Sequence, residues 1–263
     1  MTSPSEGRVD VGDGVRLWYW DTGGNGQPIV LLHASAGSGE CWGFQQQALA
    51  RVGYRVVGYS RRGHFRSDAG DRTAIPPAST DLLTLVDALA IDRVHLLGTA
   101  AGGMVAADFA VSHSERLLSL IISSSIVGLV DDDYQDMLRR LLPPEFDLLP
   151  HEFRELGPSY RASQPEGVRR WNEMLARSGV DAVPLRFARR VTWDALARLD
   201  CPVLVLTGDA DLYAPPATAR LVSSRIPAAC LGIIADAGHS PWWEQPERYN
   251  RAILDFLASI KGR

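Results

Sequence analysis

The chain has 263 residues, a length that fits one large α/β domain with an insertion better than two independent domains. Hydrophobic residues make up 46% and charged residues 22%, which excludes a disordered, collagen-like or low-complexity chain and provides for a sizeable core. Lys plus Arg number 27 against 31 for Asp plus Glu, a net charge of −4 that draws the chain to neither phosphate backbones nor anionic lipids, so no nucleic-acid or membrane partner is expected.

The N-terminal stretch Met1–Asp10 is polar and mixed in charge, unlike a secretory signal. The longest apolar stretch, Leu117–Val130, is interrupted by serines and shorter than the roughly 20 residues of a membrane span. Cys41, Cys201 and Cys230 are odd in number and lack the spacing of a zinc or CxxC redox site. A cytoplasmic protein without metal or cofactor is expected.

Around Gly12-Asp13-Gly14, the alternation of Val15, Leu17 and Tyr19 with Arg16, Trp18 and Trp20 predicts a hairpin. Buried-strand runs follow at Ile29–Leu32, Val56–Tyr59, Val94–Leu97, Leu117–Ile122, Val203–Leu206 and Leu231–Ile234. Helical periods separate them, clearest at Leu82, Leu85, Val86 and Leu89 and in the last helix at Tyr249, Ile253, Phe256, Leu257 and Ile260. Strands alternating with helices predict a mostly parallel sheet covered on both faces. Between residues 129 and 197 the strand rhythm stops and proline-broken helical segments take over, predicting a helical cap inserted into a core of residues 1–128 and 198–263.

The run Val94 to Ala107 reads as strand, tight turn, helix, with Gly98-Thr99-Ala100-Ala101-Gly102 at the turn. This is the frame of a G-x-S-x-G nucleophile elbow, whose glycines permit a sharp turn that lifts the middle side chain above the sheet. Here the middle residue is Ala100, and a methyl group cannot attack a carbonyl. In isolation Gly98–Gly103 reads equally well as a glycine-rich packing turn. Farther on, Asp209 and Asp211 follow one strand and His239 follows the last, the order elbow, acid, histidine.

With these motifs the chain resembles the α/β-hydrolase superfamily from Val30 through the final helix. The resemblance implies the α/β-hydrolase fold, with Ala100 at the nucleophile position, Asp211 as the acid and His239 as the general base, while Asp209 supports the turn. It implies an oxyanion hole from the backbone N–H groups of Ser35 and Ala101, with His33 tying that loop together. Ala34 and the run Ser60–Phe65 depart from the family pattern; Arg62 is read as structural and His64 as a turn or surface histidine. His113 and His151 are read as solvated surface residues. Among the aromatics, Trp42, Trp171, Trp193 and Trp242 are taken as substrate-binding, Trp242 with an equal claim to anchoring the last helix.

Three readings stay open. The first is an ester or lactone hydrolase of a bulky apolar substrate, its serine replaced by Ala100 in an inactivated variant, with carbon–carbon bond hydrolysis as the neighbouring chemistry. The second is a non-covalent lyase or cofactor-free oxygenase using His239 and Asp211. The third is a ligand-binding protein without chemistry. Each implies a small-molecule partner, with a homodimer as the assembly considered.

Overall fold

The computed structural model of the chain describes residues 3–179, 181–227 and 229–260. The ends of the expected core span and two single residues, Val180 in the expected cap and Ala228, lie outside the described residues. Two strands, β1 (Ser5–Asp10) and β2 (Arg16–Asp21), form the antiparallel hairpin around Gly12 and Gly14, both at positive φ. Then β3 (Pro28–Leu32), α1 (Gly43–Arg51), β4 (Arg55–Tyr59), α2 (Ala78–Ala88), β5 (Val94–Thr99), α3 (Ala101–Ser112) and β6 (Leu117–Ser123) alternate. The strand order is β1-β2-β4-β3-β5-β6 and continues into β7 (Val203–Gly208) and β8 (Cys230–Ile234). From β4 onward every neighbouring pair is parallel.

Strand alternation splits the core into two layers. Val30, Leu32, Leu96, Ile122 and Val205 face one side, with Leu82 and Leu85 of α2, Val105 and Phe109 of α3, and Val222 of α9 (Pro216–Ser224). Ile29, Leu31, Leu97, Ile121 and Leu206 face the other, with Leu49 of α1. Near the chain end come α10 (Pro241–Glu244) and α11 (Pro246–Ile260), whose Tyr249, Ile253 and Leu257 complete that second layer. One-residue alternation is the period-two geometry of a sheet buried on both faces.

Between β6 and β7 the chain is helical: α4 (Asp132–Leu141), α5 (His151–Glu155), α6 (Pro158–Ser163), α7 (Pro165–Ser178) and α8 (Trp193–Ala197). Asp131 caps α4 by accepting the Tyr134 N–H at 2.8 Å. The returning segment is held to α3 by buried Asp108, which accepts the backbone N–H groups of Ala188 and Arg189 at 3.0 and 2.9 Å and the Ser79 hydroxyl. No helix among the described residues is long and apolar enough to cross a membrane.

Below the cap, Arg62 meets Asp81 of α2 through two hydrogen bonds of 2.7 and 2.9 Å, both side chains buried. Removing one member strands the other charge out of water. Asp81→Ala should therefore lower the unfolding free energy by about 3–5 kcal/mol in urea titration, whereas an exposed pair such as Arg248–Asp236 should contribute about 1 kcal/mol or less.

Candidate active site

Strand order reverses between β4-β3 and β5-β6, and ligands of open α/β sheets bind at the carboxyl ends of strands where it does. A cavity of about 400 Å³ lies there, lined by Ala34–Ala36 after β3, Ala100 and Ala101 after β5, and His239 after β8. The helices between β6 and β7 add Gln135, Leu138, Arg139 and Leu142 from α4 and its exit and His151 and Glu155 from α5, with Met104, Ser124, Ile126 and Tyr213 from the core.

The elbow depends on two close approaches. A Cβ on Gly98 would lie 2.2 Å from the Gly102 carbonyl oxygen, and one on Gly102 would lie 2.2 Å from that of Leu32. Only glycines let the start of α3 settle between β3 and β5. Between them Ala100 is held at φ 50° and ψ −115°, a sparsely populated region for a residue with a side chain that costs about 1–3 kcal/mol. Its N–H donates to the Ser123 carbonyl at 2.9 Å, and its own carbonyl accepts the Ser125 hydroxyl at 2.7 Å.

On the β3 loop, His33 is buried and fixed at both ring nitrogens: Nε2 accepts the Arg61 N–H at 3.0 Å and Nδ1 donates to the Ala34 carbonyl at 2.7 Å. Burial, then the charge of Arg61, holds this imidazole neutral, well below its ordinary pKa. Arg61 donates to the carbonyls of His33 and Ala34 but meets no carboxylate in these contacts. Burial lowers it only to about 10, so it remains a cation under the loop. The backbone N–H groups of Ser35 and Ala101 have no acceptor among the described residues.

Asp211 and His239 meet as read from the sequence. His239 Nδ1 donates to Asp211 Oδ1 at 2.9 Å, and the same oxygen accepts the N–H groups of Tyr213 and Ala214, each at 2.9 Å. Thr207 donates to Oδ2 at 3.1 Å. Burial opposes the Asp211 charge, but the charge and hydrogen bond of His239, with the Ala214 N–H, hold its pKa below the usual carboxylate range. Burial likewise opposes the imidazolium, yet Asp211, Glu155 and Glu244 together outweigh it and raise His239 to about 9. Asp209 is exposed and accepts the Ala237 N–H at 3.2 Å, a turn contact away from the histidine.

The four tryptophans lie away from the cavity lining, and Trp242 takes the anchoring place that the sequence reading also gave it. Trp42 is fully buried against Trp242, 5.4 Å between ring centroids, and the Trp242 carbonyl accepts from Gln45 of α1. Trp171 packs in the same layer, and Trp193 stands edge-on to Tyr134 at 5.3 Å with the Arg225 guanidinium over its ring. None of the four lines the cavity, because each finds a complementary apolar surface elsewhere. Its apolar wall comes from Met104, Ile126, Leu138 and Leu142. His64 lies in the turn after β4, as one half of its reading has it, but is buried, with its ring 4.5 Å from that of His33 and Nδ1 donating to the Gly37 carbonyl; His151 is exposed as read, yet it also reaches the cavity.

Sequence reasoning passed over Glu155, Tyr213 and Glu244. The Tyr213 ring lies 4.5 Å from that of His239 and is backed by Phe146. Glu244 is buried, and its carboxylate accepts the N–H groups of Gly157, Gly238 and Ser240. Burial outweighs those bonds and pushes it up to about 7. Among the described residues no group of three His, Cys, Asp or Glu is placed to hold a metal ion.

Because folding raises His239 from an ordinary 6.5 to about 9, its contribution to stability is fully present below about pH 6.5 and is lost as pH rises through about 9. NMR titration of the ring should give a midpoint near 9 in the folded chain, and Glu155→Gln should move it downward.

Residues 29–252 match the model of the alpha/beta hydrolase family. The chain is 28% identical over 273 residues to the 2-hydroxy-6-oxononadienedioate/2-hydroxy-6-oxononatrienedioate hydrolase of Burkholderia vietnamiensis (strain G4 / LMG 22486), covering 95% of this chain and 93% of that protein. Its structure is similar to that of a thermophilic esterase from Thermogutta terrifontis with malate bound, with a TM-score of 0.81, 27% identity, and 98% and 99% of the two chains covered. It is also similar to Est816, described as an N-acyl homoserine lactone degrading enzyme, with a TM-score of 0.75, 27% identity, and 95% and 100% covered. These relatives are hydrolases, and with a match spanning most of its length the chain belongs to the alpha/beta hydrolase family.

Proposed function

We propose that the site is built for hydrolysis of an ester or lactone of a bulky, largely apolar compound, and that Ala100 occupies the position of the attacking serine. The observation that carries this reading is the backbone of Ala100. It keeps a costly elbow conformation at a cavity shared with His239 and with the unpaired N–H groups of Ser35 and Ala101. A packing turn has no use for that strain.

With serine at position 100, His239 Nε2 would take the hydroxyl proton as oxygen attacks the carbonyl carbon, and Asp211 would hold the ring in the required tautomer. The carbonyl oxygen would gain negative charge between the two N–H groups, where losing one donor costs about 10²–10³ in turnover. His239 would return the proton to the leaving alcohol, and water activated by the same nitrogen would release the acid. With alanine the first bond cannot form. Binding survives, since loss of the nucleophile removes about a millionfold in turnover and leaves the pocket. The apolar wall supports a bulky substrate, and the esterase and lactone-degrading relatives support an oxygen leaving group.

The test is turnover of a panel of aryl esters and lactones by the chain and by Ala100→Ser. The serine form should show a burst followed by steady turnover that the alanine form lacks. Because His239 must be neutral to act as base, kcat/KM of Ala100→Ser should climb as pH rises through about 9 rather than 6.5. His239→Ala in that background should abolish turnover, and His113→Ala, on the far end of α3, should leave it. No gain from serine would remove the covalent reading.

A further inference from the structure

One polar group in the cavity acts on the hydrolytic scheme only through its charge on His239 and takes no bond-making step in it. Glu155, the last residue of α5, lines the cavity with its side chain buried, and its carboxylate accepts no hydrogen bond from any described residue. Its position is set by backbone contacts. Gly157 and Gly238 approach so closely that a Cβ on Gly157 would lie 2.8 Å from the Gly238 nitrogen. The Glu244 carboxylate bridges those two N–H groups at 2.6 and 2.9 Å, and the Ser240 N–H donates to the Glu155 carbonyl at 3.1 Å. This lashes the end of α5 to the loop that carries His239. A largely buried acceptor without a protein partner is costly, and this one belongs to a side chain that lines the cavity.

We propose that the chain as it stands, with alanine at position 100, catalyses proton transfer at a carbon next to a ketone carbonyl, with Glu155 as the base and His239 and the N–H groups of Ser35 and Ala101 receiving the oxygen. The reading uses the same cavity as hydrolysis but needs no nucleophile, and the small Ala100 side chain leaves room above the elbow. A Glu155 carboxylate oxygen takes the proton. The C–H electron pair becomes the carbon–carbon double bond of an enolate, and the carbonyl π pair moves onto oxygen. Return of the proton from Glu155 to the same carbon restores the ketone; return to the far carbon of an unsaturated ketone shifts the double bond. Nothing is oxidised or reduced and no co-reactant enters.

Charge around the two groups fits these roles. Glu155 faces His239 and Asp211 from the loops after β8 and β7, Tyr213 beyond Asp211, and Arg154 and His151 on its own helix, with Arg139 of α4 lining the same cavity. Burial pushes the Glu155 carboxyl above its ordinary range, toward that of an effective general base. His239 near 9 keeps its Nε2 proton at neutral pH and serves as a donor.

The experiment is deuterium uptake at the α-carbon of 2-tetralone and phenylacetone in D2O, followed by proton NMR with the unaltered chain. Exchange should exceed that in buffer, fall by about 100-fold or more in Glu155→Gln, a loss typical of a general base, and recover in part in Glu155→Asp, with circular dichroism verifying the fold of each variant. The pH profile should rise as Glu155 ionises and fall as His239 loses its proton near 9, with the lower limb absent in Glu155→Gln. Exchange no faster than buffer with both ketones, or undiminished in folded Glu155→Gln, would overturn the proposal. Serine-dependent hydrolysis operates on the other side of pH 9, so either reading can fail while the other stands.

Discussion

The contact on which this molecule depends is the seating of the α3 N-terminus against the ends of β3 and β5. Gly98 and Gly102 remove the two side chains that would hold these backbones apart. Ala100 is forced above the sheet, the Ala101 N–H is left without an acceptor, and the β3 loop stands opposite. The cavity is the space that this seating leaves at the crossover of the sheet. The two apolar layers, joined through nearly uninterrupted buried strands, provide the stability against which a strained residue can be held.

Around this backbone the buried charges form a graded field. Arg61 lies beneath the loop of Ser35, while Asp211, Glu155 and Glu244 surround His239. The imidazolium is favoured because three carboxyl groups act on it together, although burial alone would make it neutral. The arrangement draws negative charge toward the N–H side of the cavity and positive charge toward the histidine side. Such fixed polarity needs little reorganisation when a substrate becomes charged.

Much of this could be read from the chain because it rests on local pattern. The strand runs from Ile29 to Ile234 coincide with strands to within one or two residues, since β-rich runs bounded by turns have few alternatives. The Asp211–His239 pair followed from order along the chain, because strand ends of one sheet converge at one edge. The tryptophans could not be placed, since an aromatic that fills a core and one that walls a cavity have the same composition and spacing. Glu155 was hidden for a related reason. In His-Glu-Phe-Arg-Glu it looks like the solvated face of a short helix, and the approach of Gly157 to Gly238, distant along the chain, accompanies its turn inward.

The Glu244 bridge also limits how far the cap can shift by itself. It ties the α5 end of the cap to the histidine loop through the Gly157 and Gly238 N–H groups, and the Asp108 contacts moor the returning segment at the opposite end. A cap anchored at both places cannot lift like a hinged lid without disturbing His239. Between these moorings, Tyr134 of α4 packs against Trp193 and Phe146 backs Tyr213, so the intervening stretch is also seated on the core. Cap and histidine thus form one mechanical unit, and whatever shifts one shifts the other.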